Sequence, residues 1–238
     1  MNTEKPNQNQ SNLEKSRELI SIAKILGQRH WMPATSGNIS VRGQQENTIL
    51  VTASGKNKGA LTEDDLLLTD LNGHLLIPKK NKKPSAECQL HCQIYAHLPH
   101  IEAVIHTHSE KSTILSRLMP AGSAIELTDY ELLKAFPGCS SHLDTQLLAC
   151  FHNSQDMGEL CTHTKKLFES SNNALDPEPE IPRFLPAYLI KGHGLYTWAP
   201  TLSQALIQLE ALEQIMACEI QLMCLPNNQS QTQNTQLK

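Results

Sequence analysis

The stretch Ala103-Val104-Ile105-His106-Thr107-His108-Ser109 decides how this 238-residue chain is read. Three apolar residues lead into two histidines separated by one residue. In an extended strand alternate side chains share a face, so His106 and His108 point the same way and can grip one cation. Far downstream, Gly192-His193-Gly194 offers a third imidazole from a turn. Three protein ligands leave a coordination position open for water or substrate, as in catalytic rather than closed structural zinc sites. A His-x-His pair alone is equally well two half-exposed strand residues, so the surrounding segments carry the argument.

Working outward, the strand is expected to be followed by a helix from Glu110 to Leu118 and preceded by one over 85–98, where Cys88, His91, Cys92 and Tyr95 recur at helical spacing. The segment 35–42 reads as a glycine turn entering a strand, and 48–54 as a second strand. The run 61–76 reads as an acidic helical turn, a strand, an Asn-Gly turn and a returning strand. Near the start, Ser11 and Glu14 form a capping box that opens a helix over 12–29. ELTDYELLKAF (126–136) starts extended and turns helical. Residues 153–182 read as a long connection that includes a mobile surface loop, SSNNALDPEPEIP. Strands flank the 192–194 turn, and a helix starting after Thr201 closes the chain. These elements predict one α/β domain over 12–225, a mixed sheet covered by helices, between a disordered tail (1–11) and a polar tail (226–238).

The formal net charge of −4 and the lack of a basic stripe argue against nucleic acid as a partner. Apolar runs fall far short of a membrane span. The polar N-terminal stretch does not read as a secretory signal. Seven scattered cysteines without a C-x-x-C pair read as reduced thiols, which predicts a cytoplasmic protein.

Three turns of small residues precede the histidine strand: Ser36-Gly37-Asn38, Ser54-Gly55-Lys56 and Pro84-Ser85-Ala86-Glu87. Each exposes backbone N–H groups, the last stands at a helix start, and Lys56 adds a charged donor, so together they could hold a phosphate. Each alone is as readily an ordinary turn. Glu87 is either an acid/base near the metal or a first-turn carboxylate that complements the helix dipole. Glu131 is a second acid/base candidate, or a solvated partner of Lys134. The remaining histidines read as ordinary surface or core residues. Cys88 and Cys92 lack the further soft ligands of a structural zinc site.

The ordered motifs TSGNIS (35–40), TASG (52–55), PSAE (84–87), HTHS (106–109) and KGHG (191–194) resemble the class II aldolase family over residues 13–224. Within it, SGKNKGALTEDDLLLTD (54–70), KPSAECQLHCQIY (83–95), YELLKAFPG (130–138) and NSQDM (153–157) are most similar to the branch of methylthioribulose-1-phosphate dehydratases. The resemblance implies a three-layer α/β/α fold around a mixed, largely antiparallel sheet. It implies a homotetramer with active sites between neighbouring subunits. It carries one zinc ion per subunit onto His106, His108 and His193. Phosphate and substrate contacts go to Ser36, Gly37, Asn38, Ser54, Gly55, Lys56 and Ser85, with Cys88 lining the pocket. Glu131 and Glu87 take the acid/base work, Glu131 as principal. The implied activity is a lyase reaction on a sugar phosphate, loss of water from 5-methylthioribulose 1-phosphate in methionine salvage. The alternative is aldol cleavage or epimerisation of another sugar phosphate at the same metal. A non-catalytic member of the superfamily would lack the histidines that this chain has.

Overall fold

The structure, a computed structural model, describes residues 8–171 and 183–225. The expected C-terminal tail (226–238), most of the expected N-terminal tail (1–7) and the greater part of the expected loop (172–182) lie outside the described residues.

Eight strands form one sheet: β1 (Asn38–Arg42), β2 (Thr48–Thr52), β3 (Leu66–Asp70), β4 (Ala103–Thr107), β5 (Ser123–Leu127), β6 (Gln146–Phe151), β7 (Arg183–Ile190) and β8 (Gly194–Ala199). Their order is β3-β2-β1-β4-β8-β7-β6-β5. Each neighbouring pair is antiparallel except β6 and β7, which run parallel. Parallel neighbours need a crossover, and the helix α4 (Met157–Ser171) lies in the connection between them.

The other helices are α1 (Gln8–Gln28), α2 (Cys88–His97), α3 (Glu110–Leu118) and α5 (Leu202–Cys224). Strand alternation divides the core into two layers. Ile39, Ala103, Ile105, Leu189, Leu195 and Ala199 pack with Leu19 and Leu26 of α1, Leu115 of α3, and Leu209 and Leu212 of α5. Val51, Val104, Tyr188, Tyr196 and Trp198 pack with Leu90 and Ile94 of α2 and with Leu160 and Leu167 of α4. Helices thus cover both faces of a mixed, mostly antiparallel sheet, as the sequence led us to expect.

Four local expectations are corrected. α1 begins at Gln8, so Ser11 lies inside the helix rather than at its cap. The strand expected after Asn72-Gly73 reduces to one bridge, Thr69 to Leu75. There the Asp70 carboxylate accepts from the amides of Asn72 (2.9 Å) and His74 (2.8 Å), which favours a turn over a continuing ladder. The connection expected over 153–182 holds α4, whose Leu160, Thr164, Leu167 and Phe168 are buried at spacings of three and four. β6 was not anticipated. The helix after Thr201 is capped as expected, with Thr201 Oγ1 accepting from Gln204 N at 3.1 Å.

α5 also carries Glu213, 2% exposed, with neither carboxylate oxygen hydrogen-bonded. Burial pushes its carboxyl up to about 7, against the opposing pull of Ser109 and Lys111. A carboxyl raised above its unfolded value contributes stability fully below about pH 4.5 and loses it as pH rises through about 7. Replacing Glu213 with Gln is therefore expected to flatten the decline in stability between pH 5 and 8 by on the order of 1–3 kcal/mol. Denaturant melts at both pH values check this, and parallel curves for the two proteins would refute it.

Candidate metal centre

The centre forms where β4 ends and β1 and β8 begin. β1 pairs with β4 through Asn38 and His106, and β4 pairs with β8 through His106 and Tyr196. That register stacks the His106 ring on Tyr196, centroids 3.9 Å apart and 12° from parallel. His106 is fully buried, and its Nδ1 lies 3.0 Å from the Leu195 carbonyl. A carbonyl only accepts, so Nδ1 carries the proton and Nε2 presents its lone pair.

His108 lies one residue past β4, in the connection that ends when Ser109 caps α3 by accepting from Ser112 N at 3.1 Å. Its amide donates to the Trp31 carbonyl at 2.9 Å. Its Nε2 is buried without a partner. His193 occupies the turn between β7 and β8, its amide bonded to the Ile190 carbonyl at 3.0 Å. Gly194 follows because the backbones nearly touch there: a Cβ would collide with the Thr107 carbonyl. Gly37 has φ +71°, and a Cβ would sit 2.7 Å from the His106 carbonyl oxygen.

Glu87 enters from the N-terminus of α2. Its carboxylate lies 2.9 Å from His193 Nε2 and 3.7 Å from His106 Nε2. Asn38 Nδ2 donates to it at 2.8 Å and Ser85 Oγ at 3.4 Å. One ligand atom from each of Glu87, His106, His108 and His193 falls within 4.8 Å of all the others. The Nε2 atoms of His106 and His193 are 3.2 Å apart. Tetrahedral nitrogen ligands at about 2.0–2.1 Å from one ion stand about 3.3 Å from each other, so the spacing fits a divalent cation. The orphaned, buried Nε2 of His108 fits it too.

Electrostatics agree. Burial, reinforced by the neighbouring imidazoles, holds His106 far below the ordinary histidine range despite Glu87. Burial and His193 bring His108 down to about 4. Neutral imidazoles are the ligating form. Burial opposes the charge on Glu87. The hydrogen bond from His193 counters that penalty, and the carboxyl lies well below the usual carboxylate range.

Beside the centre opens a cleft of about 90 Å³. The structure brings Ser36, Gly37 and Asn38, Ser54 and Gly55, and Ser85 together around it, with Glu87 and His108. Two expected residues lie elsewhere. Lys56 turns to Asp65 (Nζ to Oδ1 3.5 Å), and the lysine that lines the cleft is Lys58, which the sequence reading passed over. Cys88, the first residue of α2, is buried in the core, with its Sγ 4.0 Å from that of Cys92. Glu131 stands outside the group of four in this chain. It is exposed on a 3-10 turn (Glu131–Ala135) and ion-paired to Lys134 at 2.5 Å and His142 at 3.5 Å. Lys134 holds its carboxyl below the ordinary range. Among the other histidines, His91 is buried, with its Nδ1 2.7 Å from Ser40 Oγ and its ring edge-on to Tyr196 behind the centre.

Comparison with known proteins places this geometry among relatives. Residues 17–222 match the family described as Class II Aldolase and Adducin N-terminal domain. The methylthioribulose-1-phosphate dehydratase of Pseudomonas aeruginosa (strain UCBPP-PA14) is 43% identical over 210 residues, covering 88% of this chain and 95% of that one. The protein of the same description from Pseudomonas fluorescens (strain Pf0-1) is 42% identical over 214 residues, covering 90% and 96%. Among solved structures, YgbL of Escherichia coli superposes with a TM-score of 0.70 at 22% identity, covering 90% of this chain and 91% of that one.

Purified protein is expected to hold about one divalent ion per chain. Adding the ion at about 100 times its Kd to stripped protein should raise Tm by about 5–10 °C. His106→Ala, His108→Ala and His193→Ala should each lose most of that shift. Metal analysis and thermal melts measure both, and variants that keep the full shift of the unaltered protein would remove these histidines from the centre.

Proposed function

The chain belongs to the class II aldolase and adducin N-terminal domain family, and from that premise we propose that it is a lyase that dehydrates 5-methylthioribulose 1-phosphate to 2,3-diketo-5-methylthiopentyl 1-phosphate. The observation that carries the reading is a carboxylate, Glu87, held against three converging imidazoles at a cleft lined by three small-residue turns. The dehydratase relatives, at 42–43% identity over nearly their whole length, support this reaction over aldol cleavage at the same centre. It belongs to methionine salvage, the setting implied by the name of those relatives. The seven unpaired cysteines fit a cytoplasmic setting. No helix among the described residues is long and apolar enough to cross a membrane.

His106, His108 and His193 would hold the metal, and zinc suits three imidazoles. When bound, the ion supplies Lewis acidity at a ketose carbonyl. The chain's own groups then do the proton work. Asn38 and Ser85 fix the Glu87 carboxylate at the edge of the cleft, where an oxygen can accept the proton from C3 of the sugar. The electron pair left at C3 expels the C4 hydroxyl, which departs as water once a carboxylic acid protonates it. The resulting enol tautomerises to the diketone. The turns at 36–38, 54–55 and 85 hold the phosphate end and fix the carbon chain against Glu87.

Glu131 would serve as the acid from a neighbouring subunit of a homotetramer. Its exposure and its distance from the centre of its own chain are what a residue acting across an interface needs. A surface ion pair with Lys134 also accounts for it, and subunit mixing separates the two roles.

Metal-loaded protein incubated with 5-methylthioribulose 1-phosphate should yield a product one water lighter. Two smaller carbonyl fragments would instead establish an aldolase. Glu87→Gln should lower kcat about 10²–10⁴-fold with the metal retained. Glu131→Gln should also be impaired. Mixed with inactive His106→Ala subunits, it should recover activity in about a quarter of the sites, the share in which both halves are intact. Full activity of Glu131→Gln alone would leave Glu131 as a surface ion pair.

A further inference from the structure

The cleft holds a buried ammonium that no carboxylate of the described residues contacts. Lys58, on the single 3-10 turn Lys58–Ala60, is 1% exposed. Its ammonium donates to the carbonyls of Thr35 and Lys56, each at 2.8 Å. Those two bonds tie the loop before Gly37 to the turn after Gly55, and they leave one of three N–H donors unused. Carbonyls satisfy donors but carry no countercharge. Among the described residues no carboxylate lies within 4.0 Å of Lys58, and Glu87 acts on it only through its field. A buried ammonium without a counter-ion is costly, and a bound anion would remove that cost. Lys58 lines the same cleft as Ser36, Ser54 and Ser85. The neighbouring Lys56 has already met its carboxylate, Asp65, and its side chain is 44% exposed.

We propose that Lys58 is the specificity-determining cation of this cleft, and that its ammonium receives the phosphate monoester dianion of the substrate. The identity of that substrate rests on the proposed dehydratase reading. The anion-binding role rests on the cleft alone. The same ammonium holds the two turns through their carbonyls, so charge and shape of the phosphate seat come from one residue. Lys56, two positions earlier in the chain, remains outside it.

The test uses the full-length, metal-loaded protein with inorganic phosphate as the calorimetric probe. Lys58→Met should weaken phosphate binding about 10- to 100-fold, the range of one charge-assisted hydrogen bond. It should lower kcat/KM for the phosphorylated ketose relative to the phosphate-free ketose by a similar factor, mainly through KM. Unchanged phosphate affinity overturns the proposal. So does an equal loss on both ketoses, the mark of a merely structural prop, or transfer of the whole effect to Lys56→Met. Should Lys58→Met fail to keep its fold, crystals of the unaltered protein grown with phosphate decide. A phosphate oxygen within hydrogen-bond distance of Lys58 Nζ supports the assignment, and a cleft without one overturns it. Protein that binds phosphate through Lys58 yet releases no water from the ketose refutes the activity alone. Protein that dehydrates the ketose and binds phosphate without Lys58 refutes this inference alone.

Discussion

The pairing of β4 with β8 is the constraint on which the centre depends. In its register His106 faces Tyr196 and Thr107 faces Leu195. The first contact stacks the imidazole on a buried ring, and the Leu195 carbonyl fixes its tautomer. The same pairing brings the β7–β8 turn back over the end of β4, so that His193 meets His106 across 3.2 Å. A slip of one residue would turn His106 toward α1 and α5 and break the centre. The close backbone approach at Gly194 leaves no room for a side chain that might loosen that register.

Electrostatics at the centre follow from burial. Removing the imidazoles from water keeps them neutral and ready to ligate. The Glu87 carboxylate keeps its charge in the same setting because Asn38, Ser85 and His193 hydrogen-bond to it. One anion and one cation, Glu87 and Lys58, therefore line the same small cleft without forming an ion pair. That separation leaves each free to address a different end of a substrate, one at the carbon chain and one at an anionic terminus.

The layers serve the same end. α2 lies on the β-sheet face that carries His106 and Tyr196, and its N-terminus delivers Glu87 to the rim. α1, α3 and α5 close the opposite face. The 3-10 turn bearing Glu131 is anchored to α5 instead, where Tyr130 donates to Glu219 at 2.6 Å. The carboxylate of Glu87 and that of Glu131 are thus assigned to different surfaces of one subunit by the elements that carry them.

Much was legible from local pattern. The apolar run before His106, the helix from Glu110 to Leu118, the Thr201 cap and the helical spacing around His91 each follow from contacts within a few residues, and such contacts leave a periodic trace. The three histidines were legible because ligand chemistry restricts residue type. The spacing of Leu160, Thr164, Leu167 and Phe168 carried the trace of α4 as well, but the polar residues between them masked it. Only tertiary structure decided which lysine of Ser54-Gly55-Lys56-Asn57-Lys58 faces the cleft, because that depends on Asp65, which meets Lys56, and on Thr35, whose carbonyl meets Lys58. It also decided that, within one chain, Glu87 joins the histidines while Glu131 does not. Sequence by itself determined which groups could do the chemistry. Which of them meet is set by strand register and helix placement, which arise from packing between segments far apart in the chain.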